Sequence, residues 1–199
     1  MTELPRHGRL LVVGTPIGNL GDLSPRAADA LRSADLVVAE DTRLAARLLA
    51  HLDARRPTLS FNEHNAGERL PELLRRLAEG QALALTTDAG MPGVSDPGAR
   101  LVAAARAAGA EIESVPGPSA VTAAMALSGI EAGGFLFGGF LPARGASRAS
   151  RLADVLAAAG GLGLPLVVFE APHRVVDLLS RLAAAVPESD VAASREISK

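Results

Sequence analysis

The stretch 86–98, TTDAGMPGVSDPG, has the residue types of a ligand-binding loop, with three Gly, two Pro and two Asp. It follows an apolar run at 82–85 and precedes an alanine-rich helical pattern at 99–108. This composition favours an irregular turn with exposed backbone amides and carbonyls. Strand-to-helix connections usually need only about 2–6 residues. A longer loop at the carboxyl end of a parallel strand therefore predicts a ligand site.

Three further loops also follow predicted strands, at 15–22, 40–42 and 116–120. The carboxyl ends of parallel strands meet at one edge of a sheet, so we expect all four loops to lie together. The first loop has Gly14, Gly18 and Gly21, but neither the G-x-G-x-x-G spacing nor a following G-K-[ST]. These absences favour a Gly-relaxed turn before a capped helix over a nucleotide-binding loop.

Acidic residues in these loops, and a histidine in another loop, could accept or donate a proton. Asp41 either caps the next helix or, with Glu40, faces a polar or cationic ligand. His64 lies in a polar loop and could act as a base or a ligand. The four histidines lack metal-ligand spacing and the chain has no Cys, so we predict no metal site.

Arginines form a second group of polar residues near the start of a later helix. Arg144, Arg148 and Arg151 are spaced by four and three residues, and Arg174 follows in the APHR segment. This spacing predicts either a solvated basic helix face or a patch that contacts RNA phosphates.

Composition limits the class of protein. The 199 residues are 48% hydrophobic and 21% charged, with a net charge of −2, which excludes a strongly basic nucleic-acid binder and a disordered chain. With no Trp or Tyr and five Phe, a broad stacking platform for bases is not expected. No apolar run is long enough to span a bilayer, and MTELPRHGRL holds no secretory segment. We expect a cytoplasmic protein without a membrane partner.

Strand and helix patterns alternate from the start, which predicts a parallel sheet covered by helices on both faces. We expect an N-terminal α/β domain at 1–120 and a C-terminal α/β domain at 121–199. The predicted strands lie at 10–13, 36–39, 58–61, 82–86, 111–115, 164–169 and 190–195. The predicted helices lie at 25–34, 43–52, 68–79, 99–108, 119–127 and 147–159, with a last helix ending near 186.

The motifs TPIGNLGD, AEDTR, TDAGMPGVSDPG, PGPSA, GFLP and PHR, in this order, resemble those of the ribosomal RNA small subunit methyltransferase I family. This family is a branch of the tetrapyrrole methylase superfamily, and the resemblance covers the chain from Leu10 to Lys199. It implies a two-lobed tetrapyrrole-methylase-like α/β fold, with S-adenosylmethionine in the cleft between the lobes. It also implies a homodimer that methylates the 2′-oxygen of a cytidine in 16S rRNA of the 30S subunit.

The resemblance also assigns residues to the cofactor site. The predicted cofactor-binding residues are Pro16, Asp88, Ala89, Gly90, Met91, Val94, Ser95, Ser119 and Ala120.

The chain departs from the family pattern in three places. Thr87 and Met91 stand where family members commonly have Ser and Thr, so Met91 contributes through its backbone. The HNE of the family becomes His64, Asn65 and Ala66. Because the family continues past REISK, the C-terminal lobe is expected to be truncated.

Methyl transfer to a ribose hydroxyl requires the 2′-oxygen in line with the methyl group and an acceptor for the hydroxyl proton. Glu40, Asp41, His64 and Glu170 are candidates for that acceptor, and we predict Asp41 or Glu170 as the catalytic residue.

Two other functions stay open. One is a corrin or porphyrinogen methyltransferase of the same superfamily, although those enzymes usually begin with a GAGPGD-like loop where this chain has GTPIGNLGD. The other is a non-catalytic ligand-binding or ribosome-associated domain, which the end at Lys199 favours.

Overall fold

A computed structural model describes residues 8–199, so the first seven residues of the predicted domain 1–120 lie outside the described part. The described chain forms two compact units. The first unit comprises residues 8–120 together with Ser198–Lys199, and the second comprises Val121–Ile197. The side chains of Ser198 and Lys199 lie beside Gly18, in the loop that follows the first strand.

The first unit is built on a five-stranded sheet. Its strands are β1 (Arg9–Val13), β2 (Leu36–Ala39), β3 (Thr58–Ser60), β4 (Ala82–Thr86) and β5 (Glu111–Val115). They lie in the order β3-β2-β4-β1-β5, and every neighbouring pair is parallel. All five carboxyl ends therefore lie at the same edge, as the sequence predicted.

Four helices cover this sheet. They are α1 (Pro25–Ser33), α2 (Thr42–His51), α3 (Ala66–Ala78) and α4 (Gly98–Ala107). The start of α1 follows from Ser24, whose side chain accepts the Ala27 N–H at 3.1 Å, and from Pro25 in the first helical position.

Side chains that alternate along the strands form two separate cores. Leu11 and Val13 point to one face and pack with α1 and α2, whereas Leu10 points to the other and packs with α3 and α4. The two-faced coverage that the sequence predicted is confirmed.

The placement of α1 and α4 on opposite faces creates a crevice. Strands β1 and β4 are neighbours, yet β1 leads into α1 on one face and β4 leads into α4 on the other. Their loops consequently part in opposite directions at the carboxyl edge. Open α/β sheets bind ligands at such a topological switch point.

The second unit has its own small core. Its elements are α5 (Ala120–Ser128, whose first residue belongs to the first unit), β6 (Leu136–Phe140), α6 (Ala146–Leu162), β7 (Leu166–Phe169) and α7 (Val175–Ala185). Strands β6 and β7 are parallel, with Phe140 opposite Phe169. The buried residues of this core are Leu141, Leu152, Val155 and Leu178.

The strand predicted at 190–195 is wrong, because residues 187–199 form neither helix nor strand. A strand needs a neighbour for its backbone groups and an apolar face to bury. Within 190–195, Val191 is the one large apolar side chain, and it is 53% exposed. Among the described helices, none has the length and apolar character needed to cross a membrane.

Candidate functional site

Backbone hydrogen bonds join the β1 and β4 loops across the crevice. The Thr15 N–H donates to the Gly90 carbonyl at 2.9 Å, and the Gly90 N–H donates back to the Thr15 carbonyl at 3.1 Å. The buried Thr15 hydroxyl donates to the Thr87 carbonyl at 3.3 Å. Gly90 has a φ of +82°, which side chains rarely adopt. These bonds form the floor of the crevice.

The β5 loop meets the same floor. Gly117 lies against Gly14 so closely that neither position has room for a side chain. The Met91 sulfur packs beside Gly14, 2.7 Å from where a Cβ would stand. Met91 thus fills this junction with its thioether, a side-chain role that sequence reasoning missed.

Asp96 organises the loop between β4 and α4. Its carboxylate accepts N–H groups from Gly93 at 2.8 Å, Val94 at 3.1 Å and Gly98 at 2.7 Å. Ser95 consequently takes a left-handed φ of +67°, and Val94 is 44% exposed. Sequence reasoning did not single out Asp96, although Asp before Pro-Gly is a turn signal.

A cavity of about 90 Å³ lies where these loops and the start of α2 meet. Two predicted cofactor residues, Pro16 and Asp88, line it beside Thr15, Thr87 and Asp41. A larger open groove of about 770 Å³ lies elsewhere, at the junction of α2 and β3, and contains none of the predicted site residues.

The other predicted cofactor residues do not line this cavity and lie further along the β4 and β5 loops. Ala89, Gly90 and Met91 continue the β4 loop from Asp88, and Val94 and Ser95 follow on its exposed arm. Half-buried Ser119 ends the β5 loop, and half-buried Ala120 begins α5.

The acids that follow β2 differ in their surroundings. Burial and the neighbouring Asp88 carboxylate raise the pKa of Glu40, although its hydrogen bond from the Thr87 hydroxyl at 3.3 Å opposes this. Arg43 instead lowers the pKa of Asp41 to about 2, through hydrogen bonds from its guanidinium and its N–H. Glu40 therefore holds a proton more readily than Asp41.

Asp41 is also the N-cap of α2, because its Oδ1 accepts the Arg43 N–H at 2.8 Å. The capping interpretation is confirmed. Its own N–H donates to Asp88 Oδ1 at 3.1 Å, which joins the β2 and β4 loops. His64 is exposed and precedes Asn65, the residue at the start of α3.

Glu170 lies in the second unit, directly after β7, and its side chain is 4% exposed. Its two oxygens accept from Arg148 Nη2 at 2.6 Å, Arg174 Nε at 2.7 Å and the Ala171 N–H at 2.8 Å. Burial raises the pKa of Glu170, but these donors outweigh it and hold the pKa below the ordinary value. Such contacts favour a positioning role. The catalytic prediction for Glu170 stays untested.

Arg148 corrects the interpretation of the arginine group. Its side chain is 2% exposed and also donates to the Pro142 carbonyl at 3.1 Å and to Asp177 Oδ2 at 3.1 Å. It therefore belongs neither to a solvated face nor to a phosphate patch. Arg144 lies before the start of α6 and is exposed, as is Arg151 on the helix.

Comparison with known proteins gives the family. The family described as Tetrapyrrole (Corrin/Porphyrin) Methylases matches residues 9–199. The chain is 45% identical to a ribosomal RNA small subunit methyltransferase I of Xylella fastidiosa, over 96% of this chain and 69% of the relative. It is 44% identical to the Thermotoga maritima protein of the same name, over 96% of this chain and 84% of that one.

A solved diphthine synthase shares the fold, with a TM-score of 0.69 and 19% identity, over 89% of this chain and 73% of that one. The solved structure shows the fold alone, and the family match over residues 9–199 defines a methylase of the tetrapyrrole methylase class. Within that class, the chain belongs to the ribosomal RNA small subunit methyltransferase I family.

The crevice of the first unit suits the cofactor of this class. S-adenosylmethionine carries a sulfonium and an ammonium group, and Glu40, Asp41 and Asp88 supply carboxylates at this edge. Apolar Leu20, Leu44 and Leu48 also line the cavity. Ligand pockets typically hold about 300 Å³ or more, so the 90 Å³ cavity is too small for a whole ligand of that size. These carboxylates and apolar side chains fit the charged and apolar parts of S-adenosylmethionine.

Proposed function

We propose that this chain methylates the 2′-oxygen of a cytidine ribose in 16S rRNA, with S-adenosylmethionine as the methyl donor. The observation that carries the proposal is the 45% identity, over 96% of the chain, to a relative named for small-subunit rRNA methylation. The carboxylate-lined crevice supports it, because its charge complements a cationic donor. Such an enzyme works in the bacterial cytoplasm.

Bound S-adenosylmethionine supplies a methyl group that its sulfonium already activates. The residues of the first unit then have three tasks: to hold the donor, to orient it and to take up a proton. We propose that Pro16, Asp88 and the β4 loop through Ser95 hold it. Ser119 and Ala120 complete this set.

Orientation depends on how firmly the loops are held. The Thr15–Gly90 bridge and the Asp96 carboxylate fix the backbone on both sides of the exposed segment 93–95. Because the loop is already held in one conformation before the ligand binds, binding does not cost the free energy of ordering it.

We propose that Glu40 accepts the proton of the ribose hydroxyl. Its carboxylate is half-buried and lies beside Thr87, at the end of β2 and next to the crevice. A general base works best when its pKa approaches the working pH. Burial and Asp88 move the pKa of Glu40 in that direction, whereas Arg43 moves that of Asp41 away from it.

The decisive experiment is methyl transfer from labelled S-adenosylmethionine to 30S subunits, with the label mapped to base or ribose. We expect one labelled cytidine 2′-oxygen. Label on a base, or transfer to a tetrapyrrole and none to 30S, would reject the proposal. Cofactor binding without any transfer would favour the non-catalytic alternative.

The resemblance also leads us to propose a homodimer. Light scattering after size-exclusion chromatography tests it, and a mass equal to one chain at micromolar concentration would reject it.

A further inference from the structure

Buried Arg148 and Glu170 join two loops at the carboxyl edge of the β6–β7 sheet. Phe140 and Phe169 end the two strands side by side, so the Pro142 loop and the Glu170 loop emerge together. Arg148 donates to the carbonyl of Pro142 and to the carboxylate of Glu170. The buried ion pair therefore fixes the spacing of these loops.

Arg174 is held at this edge by one atom of its guanidinium. Its Nε donates to Glu170 Oε1 at 2.7 Å, and its side chain is 23% exposed. Among the hydrogen bonds of residues 8–199, the guanidinium donates through Nε and not through Nη1 or Nη2. Arg174 is thus oriented in advance, with two donors left for a ligand.

Charge at this edge favours an anion. Glu170 is engaged by Arg148 and Arg174, and the carboxylate of Asp177 by Arg148 and Arg181. Three arginines, Arg148, Arg174 and Arg181, therefore face two carboxylates, and exposed Arg144 lies on the loop that follows β6. No side chain caps the amino end of α7, whose dipole adds positive potential beside Arg174.

We propose that this edge, formed by Arg144 and Arg174, contacts a phosphate of the RNA substrate, with Glu170 and Arg148 as positioning residues. A guanidinium fork matches the geometry of a phosphate and can bind it through two nitrogens. The identification of RNA as the source of the phosphate rests on the proposed function. The carboxylate of S-adenosylmethionine is the competing oxyanion, and the test separates the two.

The test is binding of purified 16S rRNA and of 30S subunits to Arg174→Gln over a series of salt concentrations. Gln can still donate to Glu170 but carries no charge. We expect RNA affinity to fall about three- to tenfold. The slope of log affinity against log salt should decrease in magnitude by about 0.7 for one lost phosphate contact. Arg144→Gln should show a weaker change of the same kind, and Arg151→Gln on exposed α6 is the matched control.

Cofactor affinity and melting temperature are measured on the same variants. Unchanged values beside weaker RNA binding support the proposal. Weaker S-adenosylmethionine binding with an unchanged salt slope would overturn it, because Arg174 would then serve the cofactor. An RNA affinity and slope equal to those of the parent would overturn it as well.

These outcomes differ from failure of the proposed function. If the parent chain binds RNA through Arg174 but methylates nothing in 30S, the proposed methyl acceptor is rejected and the proposed RNA contact at Arg174 is kept. If methylation is normal but RNA binding does not depend on Arg174, only the proposed RNA contact at Arg174 is rejected.

Discussion

Gly14 and Gly117 approach so closely that a Cβ on Gly14 would lie 2.6 Å from the Gly117 backbone, and one on Gly117 would lie 2.8 Å from that of Gly14. This contact joins the β1 loop to the β5 loop, both of which carry predicted cofactor residues. Because the opposing atoms are backbone, a side chain can enter only if the loops separate.

Gly117→Ala should therefore weaken cofactor binding. Overpacking of this kind costs about 1–3 kcal/mol of stability, and loop separation should lower S-adenosylmethionine affinity about tenfold or more. Calorimetric titration and thermal unfolding measure both effects. Gly133→Ala, at a site with no atom within 4 Å, is the control and should change neither.

Asp96→Ala should loosen the exposed arm of the β4 loop. The substitution leaves the N–H groups of Gly93, Val94 and Gly98 without their acceptor. We expect a stability loss of about 1–3 kcal/mol and weaker cofactor binding. Exposed Asp154→Ala on α6 is the control. Parental cofactor affinity in Asp96→Ala would show that the arm does not contact the cofactor.

Glu40→Gln should make the protein more stable at neutral pH while impairing methyl transfer. The raised pKa means that the folded chain holds this proton more tightly than the unfolded chain does. The contribution of Glu40 to stability is consequently fully present below the ordinary value of 4.5 and is lost as pH rises through the folded pKa. Glu40→Gln avoids that loss, so its higher free energy of unfolding at pH 7, relative to the parent chain, should vanish in acid.

Urea unfolding between about pH 4 and pH 8 measures this difference, with exposed Glu68→Gln as the control. Single-turnover transfer should fall about 100-fold or more in Glu40→Gln if the carboxylate accepts the proton. An unchanged rate would exclude Glu40 from that role.

Asp41→Asn separates capping from catalysis, because Asn can still cap α2. We expect near-parental stability and a rate within about tenfold of the parent, since a carboxylate with a pKa of about 2 is a weak base. Asp41→Ala should lose about 1 kcal/mol through loss of the cap. A 100-fold slower Asp41→Asn would make Asp41 the acceptor instead of Glu40.

Arg148→Met should destabilise the chain by about 3–5 kcal/mol, because it leaves the buried Glu170 carboxylate without its main partner. Exposed Arg151→Met on the same helix should change stability by no more than about 0.5 kcal/mol. Chemical denaturation compares the two variants. Equal stabilities would show that the pair does not hold the second core together.

The first sheet was predictable because its strands carry their own signal. Apolar runs such as 82–85, followed by Gly-rich or acidic turns, are typical of strands that are buried on both faces and end at the surface. The carboxyl-edge loops follow from parallel pairing alone. The Thr15–Gly90 bridge and the Gly14–Gly117 contact could not be predicted, because they join segments about 75 and 100 residues apart.

Arg148 shows what periodicity cannot resolve. Its spacing from Arg144 and Arg151 is that of an exposed basic face, yet α6 begins only at Ala146 and turns Arg148 inward. Burial of a guanidinium depends on carboxylates from β7 and α7, which lie 22 and 29 residues further along the chain. Only tertiary structure brings such partners together.

The arginine–carboxylate pairs of the second unit keep a constant charge across the physiological pH range. Arginine does not lose its proton there, and the pKa values of Glu170 and Asp177 are both lowered. The raised pKa of Glu40 makes the first unit sensitive to acidity, whereas salt screens the arginine–carboxylate pairs of the second unit. The dependence of the methylation rate on pH can therefore report on the proposed proton uptake, and its dependence on salt concentration on the proposed contact with RNA.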